Sequence, residues 1–176
     1  MNSNSIILLH GGVSSGKSRF AVKTARELEL PTVFLASYRN FYADSEMKRK
    51  INRHKKERPS DWITIEPVFD IIDITSQYKN KKVVLLLDCL SLYTSGLMMD
   101  GLSDKKILRH IKDWSEKMKT CKCNWIIVSN EVGMSPVPDS KETRRFRELL
   151  GKCNQIVAKT ATQVYFFVAG IPQKIK

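Results

Sequence analysis

The stretch Ile6-Ile7-Leu8-Leu9-His10-Gly11-Gly12-Val13-Ser14-Ser15-Gly16-Lys17-Ser18 decides how the chain reads. An apolar run leads into a loop that carries the pattern G-x-x-x-x-G-K-[ST] over Gly11–Ser18. Glycines at such positions let the backbone curl until several N–H groups point at one anion. Lys17 can then reach the β- and γ-phosphates, and the Ser18 hydroxyl can ligate Mg²⁺. A helix starting near Lys17 would add its positive N-terminal end to the same site. The flanks fit: a strand precedes, and Phe20, Ala21, Ala25, Leu28 and Leu30 follow at near-helical spacing. Gly11, Gly12, Val13, Ser14, Ser15, Gly16, Lys17 and Ser18 are therefore the candidate nucleoside-triphosphate cradle. The alternative, a Gly/Ser-rich surface turn, does not explain the flanks.

Outward from the loop, apolar runs and amphipathic stretches alternate. Strands are expected at Ile6–His10, Pro31–Ala36, Trp62–Ile65, Lys82–Leu87, Trp125–Val128 and Val164–Val168. Helices are expected at Ser18–Leu30, Asp44–Lys56, Val68–Tyr78, Lys105–Lys119 and Lys141–Ala158. Strands separated by helices imply crossover units and a mainly parallel sheet. The expected class is α/β, one P-loop nucleotide-binding domain over residues 1–176. In such a sheet ligands sit beyond the carboxyl ends of the strands. Weight therefore falls on the loop, Ala36–Arg39, Asp88 and Ser129-Asn130-Glu131.

Composition narrows the function. The 176 residues are 42% hydrophobic and 27% charged, ordinary for a globular chain with a real core. No apolar stretch approaches the roughly 20 residues that span a bilayer, and the N-terminus does not read as a secretory signal. Cys89, Cys121, Cys123 and Cys153 lack zinc-ligand spacing and read as reduced thiols. The net charge of +12 invites a nucleic-acid partner, and Met47–Arg58 concentrates it. That run could meet a duplex backbone, be a solvated face, or wall a triphosphate site. No aromatic residues interleave it, so single-strand recognition gains nothing. Beside a phosphate loop, nucleotide handling outranks nucleic-acid binding.

Asp88 ends an apolar run, where a carboxylate can hold Mg²⁺ opposite Ser18, or can cap the next helix. Glu131 could be a general base near a γ-phosphate, a helix cap, or a partner of Arg144, Arg145 and Arg147. His10 reads as structural and His110 as a surface residue. His54 shares a helix face with Met47 and Ile51 among cations that disfavour imidazolium, which suits a neutral nucleophile. Spacing alone reads equally as a solvated side chain.

Several segments together resemble one family. They are G-G-V-S-S-G-K-S-R at Gly11–Arg19, D-S-E-M-x-x-K-I-x-x-H-K at Asp44–Lys55, and R-P-x-x-W-x-T-x-E at Arg58–Glu66. L-L-L-D-C-L-S at Leu85–Ser91 and V-S-N-E-V-G-M-x-x-V-P at Val128–Pro138 follow, then R-F-R-E-L-x-G-x-x-N-Q at Arg145–Gln155 and A-G-I-P-x-K-I-K at the end. The chain thereby resembles the bifunctional adenosylcobinamide kinase / adenosylcobinamide-phosphate guanylyltransferases of cobalamin biosynthesis. The phosphate loop is generic; the His-containing segment and S-N-E-V-G together are specific.

The resemblance implies a RecA-like P-loop fold, a cytoplasmic homotrimer, and two reactions. ATP or GTP phosphorylates the aminopropanol hydroxyl of adenosylcobinamide. GTP then gives GMP to adenosylcobinamide phosphate through a guanylyl-histidine, matched by His54, and the product is adenosylcobinamide-GDP. An imidazole that attacks the α-phosphorus and expels pyrophosphate stores transfer potential in a P–N bond. The matched nucleotide positions are the loop, Ser37, Tyr38, Arg39, Lys55, Lys56, Glu57, Arg58, Glu66 and Asp88, with Mg²⁺ on Ser18 and Asp88. The chain departs from the family's usual residues at Lys50, Arg53, Ser135-Pro136, Glu148 and the stretch Ala161–Val164. Two other readings compete: a plain P-loop kinase in which His54 is a bystander, and a basic nucleic-acid binder.

Overall fold

The computed structural model describes residues 4–39 and 59–176. The expected helix Asp44–Lys56, and with it His54, Lys55, Lys56, Glu57 and Arg58, lies outside the described residues.

In chain order the elements are β1 (Ile6–Gly11), α1 (Lys17–Glu27), β2 (Thr32–Leu35), β3 (Ile63–Ile65), α2 (Ile71–Tyr78) and β4 (Val84–Leu87). Then come α3 (Leu90–Met99), α4 (Asp104–Thr120), β5 (Asn124–Asn130), α5 (Lys141–Thr160), β6 (Gln163–Val168) and β7 (Ile171–Lys174). The seven strands of the described residues form one sheet in the order β3-β2-β4-β5-β1-β6-β7. All neighbours are parallel except β6 and β7. The expected mainly parallel α/β architecture is therefore what the chain adopts.

Side chains alternate across a strand, so each central strand feeds two cores. Ile6, Leu8, Val33, Leu35, Leu85, Leu87, Trp125 and Ile127 pack on one face against residues of α2, α3, α4 and α5. There Trp114 and Trp125 meet edge to face at 5.2 Å, both fully buried. Ile7, Leu9, Phe34, Val84, Leu86, Ile126 and Val128 pack on the other face with Ala21 and Ala25 of α1. Burial on both faces explains why β4 reads as an unbroken apolar run.

Two elements were not expected. The α3 sequence L-S-L-Y-T-S-G-L-M-M carries no charge, and Ser91 and Thr94 among its hydroxyl residues are themselves buried, so the helix shows little amphipathic period. β7 contains Pro172 and is fully exposed. It is an edge strand, where proline is tolerated, and it folds back onto β6 after the turn at Ala169-Gly170.

His110 also departs from expectation. It is half-buried rather than a surface residue, with Nε2 2.8 Å from the Tyr93 hydroxyl. Tyr93 in turn accepts from the Ile71 N–H at 3.2 Å. All four cysteines are free thiols.

Candidate nucleotide site

The phosphate loop joins the end of β1 to α1. Its two pattern glycines answer different constraints. Gly11 has φ +152°, and a Cβ there would lie 2.7 Å from the Phe167 carbonyl oxygen of β6. Gly16 has φ +94° and stands at the N-cap of α1, against Gly170 of the β6–β7 turn. Ser14 takes φ +58°, while Val13 is 79% exposed at the rim. Gly12 has open space around it.

Lys17 is buried in the first turn of α1. Its ammonium folds back over the loop, donating to the Gly12 carbonyl at 2.5 Å and to the Ser15 hydroxyl at 3.1 Å. Burial pulls its pKa below the usual lysine value, against a smaller upward pull from Cys89. A partly desolvated cation inside a ring of backbone is poised for an anion. Ser18 is exposed beside it.

The sheet order places β5 between β1 and β4. The loop and Asp88 are thus two strand spacings apart, roughly 10 Å, with the end of β5 between them. Asp88 does not cap α3; Cys89 does, its sulfur accepting from Leu92 N–H. One Asp88 oxygen, Oδ1, instead accepts from Ser37, from the N–H at 2.8 Å and from the hydroxyl. The Ser37 hydroxyl also accepts from Cys89 N–H at 3.2 Å. Ser37 has no solvent exposure, so it enters the site as the support of Asp88. A hydroxyl at Ser18 and a carboxylate at Asp88 are hard oxygen donors of the kind Mg²⁺ takes.

Beside the loop, Glu131 N–H donates to the Gly11 carbonyl at 2.9 Å. The Glu131 carboxylate takes neither role expected from helix capping or from the arginine cluster. Oε2 is 2.8 Å from His10 Nε2, and Oε1 accepts from Gly133 N–H. Arg144 instead donates to the Pro138 and Asp139 carbonyls, Arg145 pairs with Asp104, and Arg147 donates to the Gly133 and Pro136 carbonyls. Burial alone would raise the Glu131 carboxyl, but the bonds from His10 and Gly133 outweigh it and hold the pKa below the usual value. The polar fastening of β5 was not visible beforehand: Asn130 N–H donates to Ser91, and Ser129 donates to Asn154.

Arg39 has partners of its own. Arg39 is buried, its guanidinium bonded to Asp100, donating to the Phe69 carbonyl at 3.2 Å and lying 5.0 Å over the Phe69 ring. Tyr38 is half-buried next to it. Glu66 is exposed just beyond β3, the outermost strand on that side of the sheet.

Likeness to known proteins agrees with this arrangement. The solved structure of a Pyrococcus horikoshii OT3 protein superposes with a TM-score of 0.59 at 11% identity, covering 100% of this chain and 88% of that one. An ATPase from the type III secretion system of pathogenic bacteria gives 0.57 at 11% identity, over 98% of this chain and 57% of the other. At that identity these speak for the fold alone. In sequence, the chain is 31% identical to the bifunctional adenosylcobalamin biosynthesis protein CobU of Escherichia coli K12, over 97% of this chain and 99% of the relative. It is 31% identical to the corresponding CobP of Pseudomonas aeruginosa PAO1, over 96% of each. The match to the family description "cobinamide kinase / cobinamide phosphate guanyltransferase" runs over residues 7–175, from the first strand that carries the phosphate loop to the end of the sheet. A P-loop sheet with these strand ends, matched over nearly its whole length, belongs to the cobinamide kinase / cobinamide phosphate guanyltransferase family.

Proposed function

We propose that this chain carries both activities of its family within one domain. It phosphorylates the aminopropanol hydroxyl of adenosylcobinamide from a nucleoside triphosphate, then transfers GMP from GTP to that phosphate, giving adenosylcobinamide-GDP. The observation that carries the reading is the loop Gly11–Ser18, with the buried Lys17 ammonium inside it and Asp88 two strands away.

The loop N–H groups and the N-terminus of α1 hold the phosphate chain. Lys17 exchanges its contacts with Gly12 and Ser15 for phosphate oxygens. Ser18 and Asp88 would hold Mg²⁺, which when bound neutralises charge on the β- and γ-oxygens. Ser37 keeps the Asp88 carboxylate turned to its place. In the second reaction His54 attacks the α-phosphorus of GTP, pyrophosphate leaves, and the guanylyl group passes to the corrinoid phosphate. Lys55, Lys56, Glu57, Arg58 and Glu66 belong to that half of the proposal, as does a nucleotide contact from Tyr38. The protein works as a cytoplasmic homotrimer, which sedimentation would test for assembly state.

Incubation with α-labelled GTP tests the function. The expected result is acid-labile, alkali-stable label on the wild-type protein and none on His54→Ala. Unlabelled wild type, or equal label on the variant, would refute the guanylyl-histidine. Transfer from γ- but not α-labelled nucleotide, insensitive to His54→Ala, would leave the plain kinase.

A further inference from the structure

Phosphoryl transfer to an alcohol releases a proton, and the carboxylate best placed to take it is not the one that suits the metal. Among the described residues, the strand ends nearest the phosphate loop carry two carboxylates, Asp88 and Glu131. Oδ1 of Asp88 is committed to Ser37. Glu131 is the first residue beyond β5, and its own N–H is bonded to the first residue of the loop. It is therefore attached to the rim of the cradle, on the strand that lies between the loop and Asp88.

Both carboxylate oxygens of Glu131 are oriented by donors, Oε2 by His10 and Oε1 by Gly133 N–H. An ionised carboxylate only accepts, so the proton of this contact sits on His10 Nε2. His10 Nδ1 is buried and has no hydrogen-bond partner among the described residues. A buried polar atom without a partner is an uncompensated cost, and among the described residues the polar contact of this ring is Glu131. Arg144, Arg145 and Arg147 are bonded elsewhere, so none of these three guanidiniums pairs with the carboxylate. With 23% of its side chain exposed, Glu131 remains reachable. The loop that it opens presents Met134 and Val137, 81% and 72% exposed, an apolar surface that a large organic acceptor would cover.

We propose that Glu131 accepts the proton of the acceptor hydroxyl in the kinase reaction, and that His10 is the positioning residue that aims it. The inference rests on the kinase half of the proposed function. The hydroxyl oxygen forms a bond to the γ-phosphorus, the bond from that phosphorus to the β,γ-bridging oxygen breaks, and the nucleoside diphosphate leaves with the electron pair. The hydroxyl proton passes to Glu131 and from there to solvent. A loose transition state asks little activation of the nucleophile, so a carboxylate of low basicity suffices when correctly placed.

The test follows both half-reactions in the same preparations, as γ-transfer to adenosylcobinamide and α-label from GTP on the protein. Glu131→Gln keeps the shape and one acceptor oxygen, places an amide NH₂ where the other oxygen was, and cannot take a proton. It should lower kinase kcat by about 100-fold or more, with nucleotide KM and α-labelling held within about threefold. His10→Phe should lower kcat by roughly tenfold, and His10→Gln, whose amide can donate from a similar position, should restore most of it. Glu131→Gln with unchanged kinase kcat overturns the inference. So does parallel loss of kinase and α-labelling, which would make the pair a strut of the loop. Wild-type protein that takes α-label but never phosphorylates the corrinoid removes the kinase reading itself, and this inference with it.

Discussion

Ser37 binds one oxygen of Asp88 twice, through its backbone N–H at 2.8 Å and through its hydroxyl, and it accepts from Cys89 N–H with the same hydroxyl oxygen. A single buried serine thus ties the end of β2 to the end of β4. Ser37→Ala removes one donor to Asp88 and leaves Cys89 N–H without this acceptor. The expected cost is about 1–3 kcal/mol of stability, together with a several-fold rise in the Mg²⁺ concentration needed for half-maximal turnover. Unfolding curves and a Mg²⁺ titration check both. An unchanged titration would confine Ser37 to a packing role.

Gly11 and Gly12 are neighbours with opposite tolerance. Alanine at Gly11 would put its Cβ 2.7 Å from the Phe167 carbonyl, at φ +152°. Backbone cannot yield there cheaply, so Gly11→Ala should lose about 2–3 kcal/mol. Gly12→Ala meets nothing within 4 Å and should leave stability within about 0.5 kcal/mol. Denaturant unfolding of the nucleotide-free variants measures the difference.

Arg39 tests whether a position matched to nucleotide binding serves the fold instead. Its side chain is 7% exposed and bonded to Asp100, which is 39% exposed. Breaking a buried pair costs several kcal/mol, but Asp100 is partly hydrated once released, so Arg39→Ala should lose about 2 kcal/mol. Nucleotide affinity, read by calorimetry, should stay within about twofold. A tenfold weaker affinity at unchanged stability would make Arg39 a nucleotide ligand.

High pH should unfold the protein through buried neutral acids. Burial raises the Cys153 thiol from 9.0 to about 11 and the Tyr93 hydroxyl from 10.0 to about 12; Cys89, raised by burial and then by Asp88, also reaches about 11. The folded state holds these protons where the unfolded chain has released them. Their contribution is whole below pH 9, begins to fall as pH passes the unfolded values, and is gone above the folded ones. Each of Cys153 and Tyr93 adds a slope of up to about 1.4 kcal/mol per pH unit. Stability measured under reducing conditions should drop between pH 9 and 12. Cys153→Ala should flatten the part between 9 and 11.

Most of the fold was legible because its signals are local. The β1 run, the loop glycines and the helical spacing after Lys17 lie within 25 residues, and parallel strands buried on both faces announce themselves as apolar runs. What escaped lacked a period of its own. α3 carries no charge and buries Ser91 and Thr94 among its hydroxyl residues, and β7 is a short proline-containing edge that exists through pairing with β6.

At the site, residue types were legible and their partners were not. The chain by itself determined that a phosphate loop follows the first strand, that Asp88 and Glu131 end strands, and which family the motifs resemble. Tertiary structure alone decided that β5 separates the loop from Asp88, that Ser37 holds Asp88, that Arg39 turns to Asp100, and that Glu131 faces His10 instead of the arginines. The reason is physical. Local pattern records which face of an element is buried, whereas these contacts join residues 51, 61 and 121 positions apart in the chain, and only strand order brings such residues together.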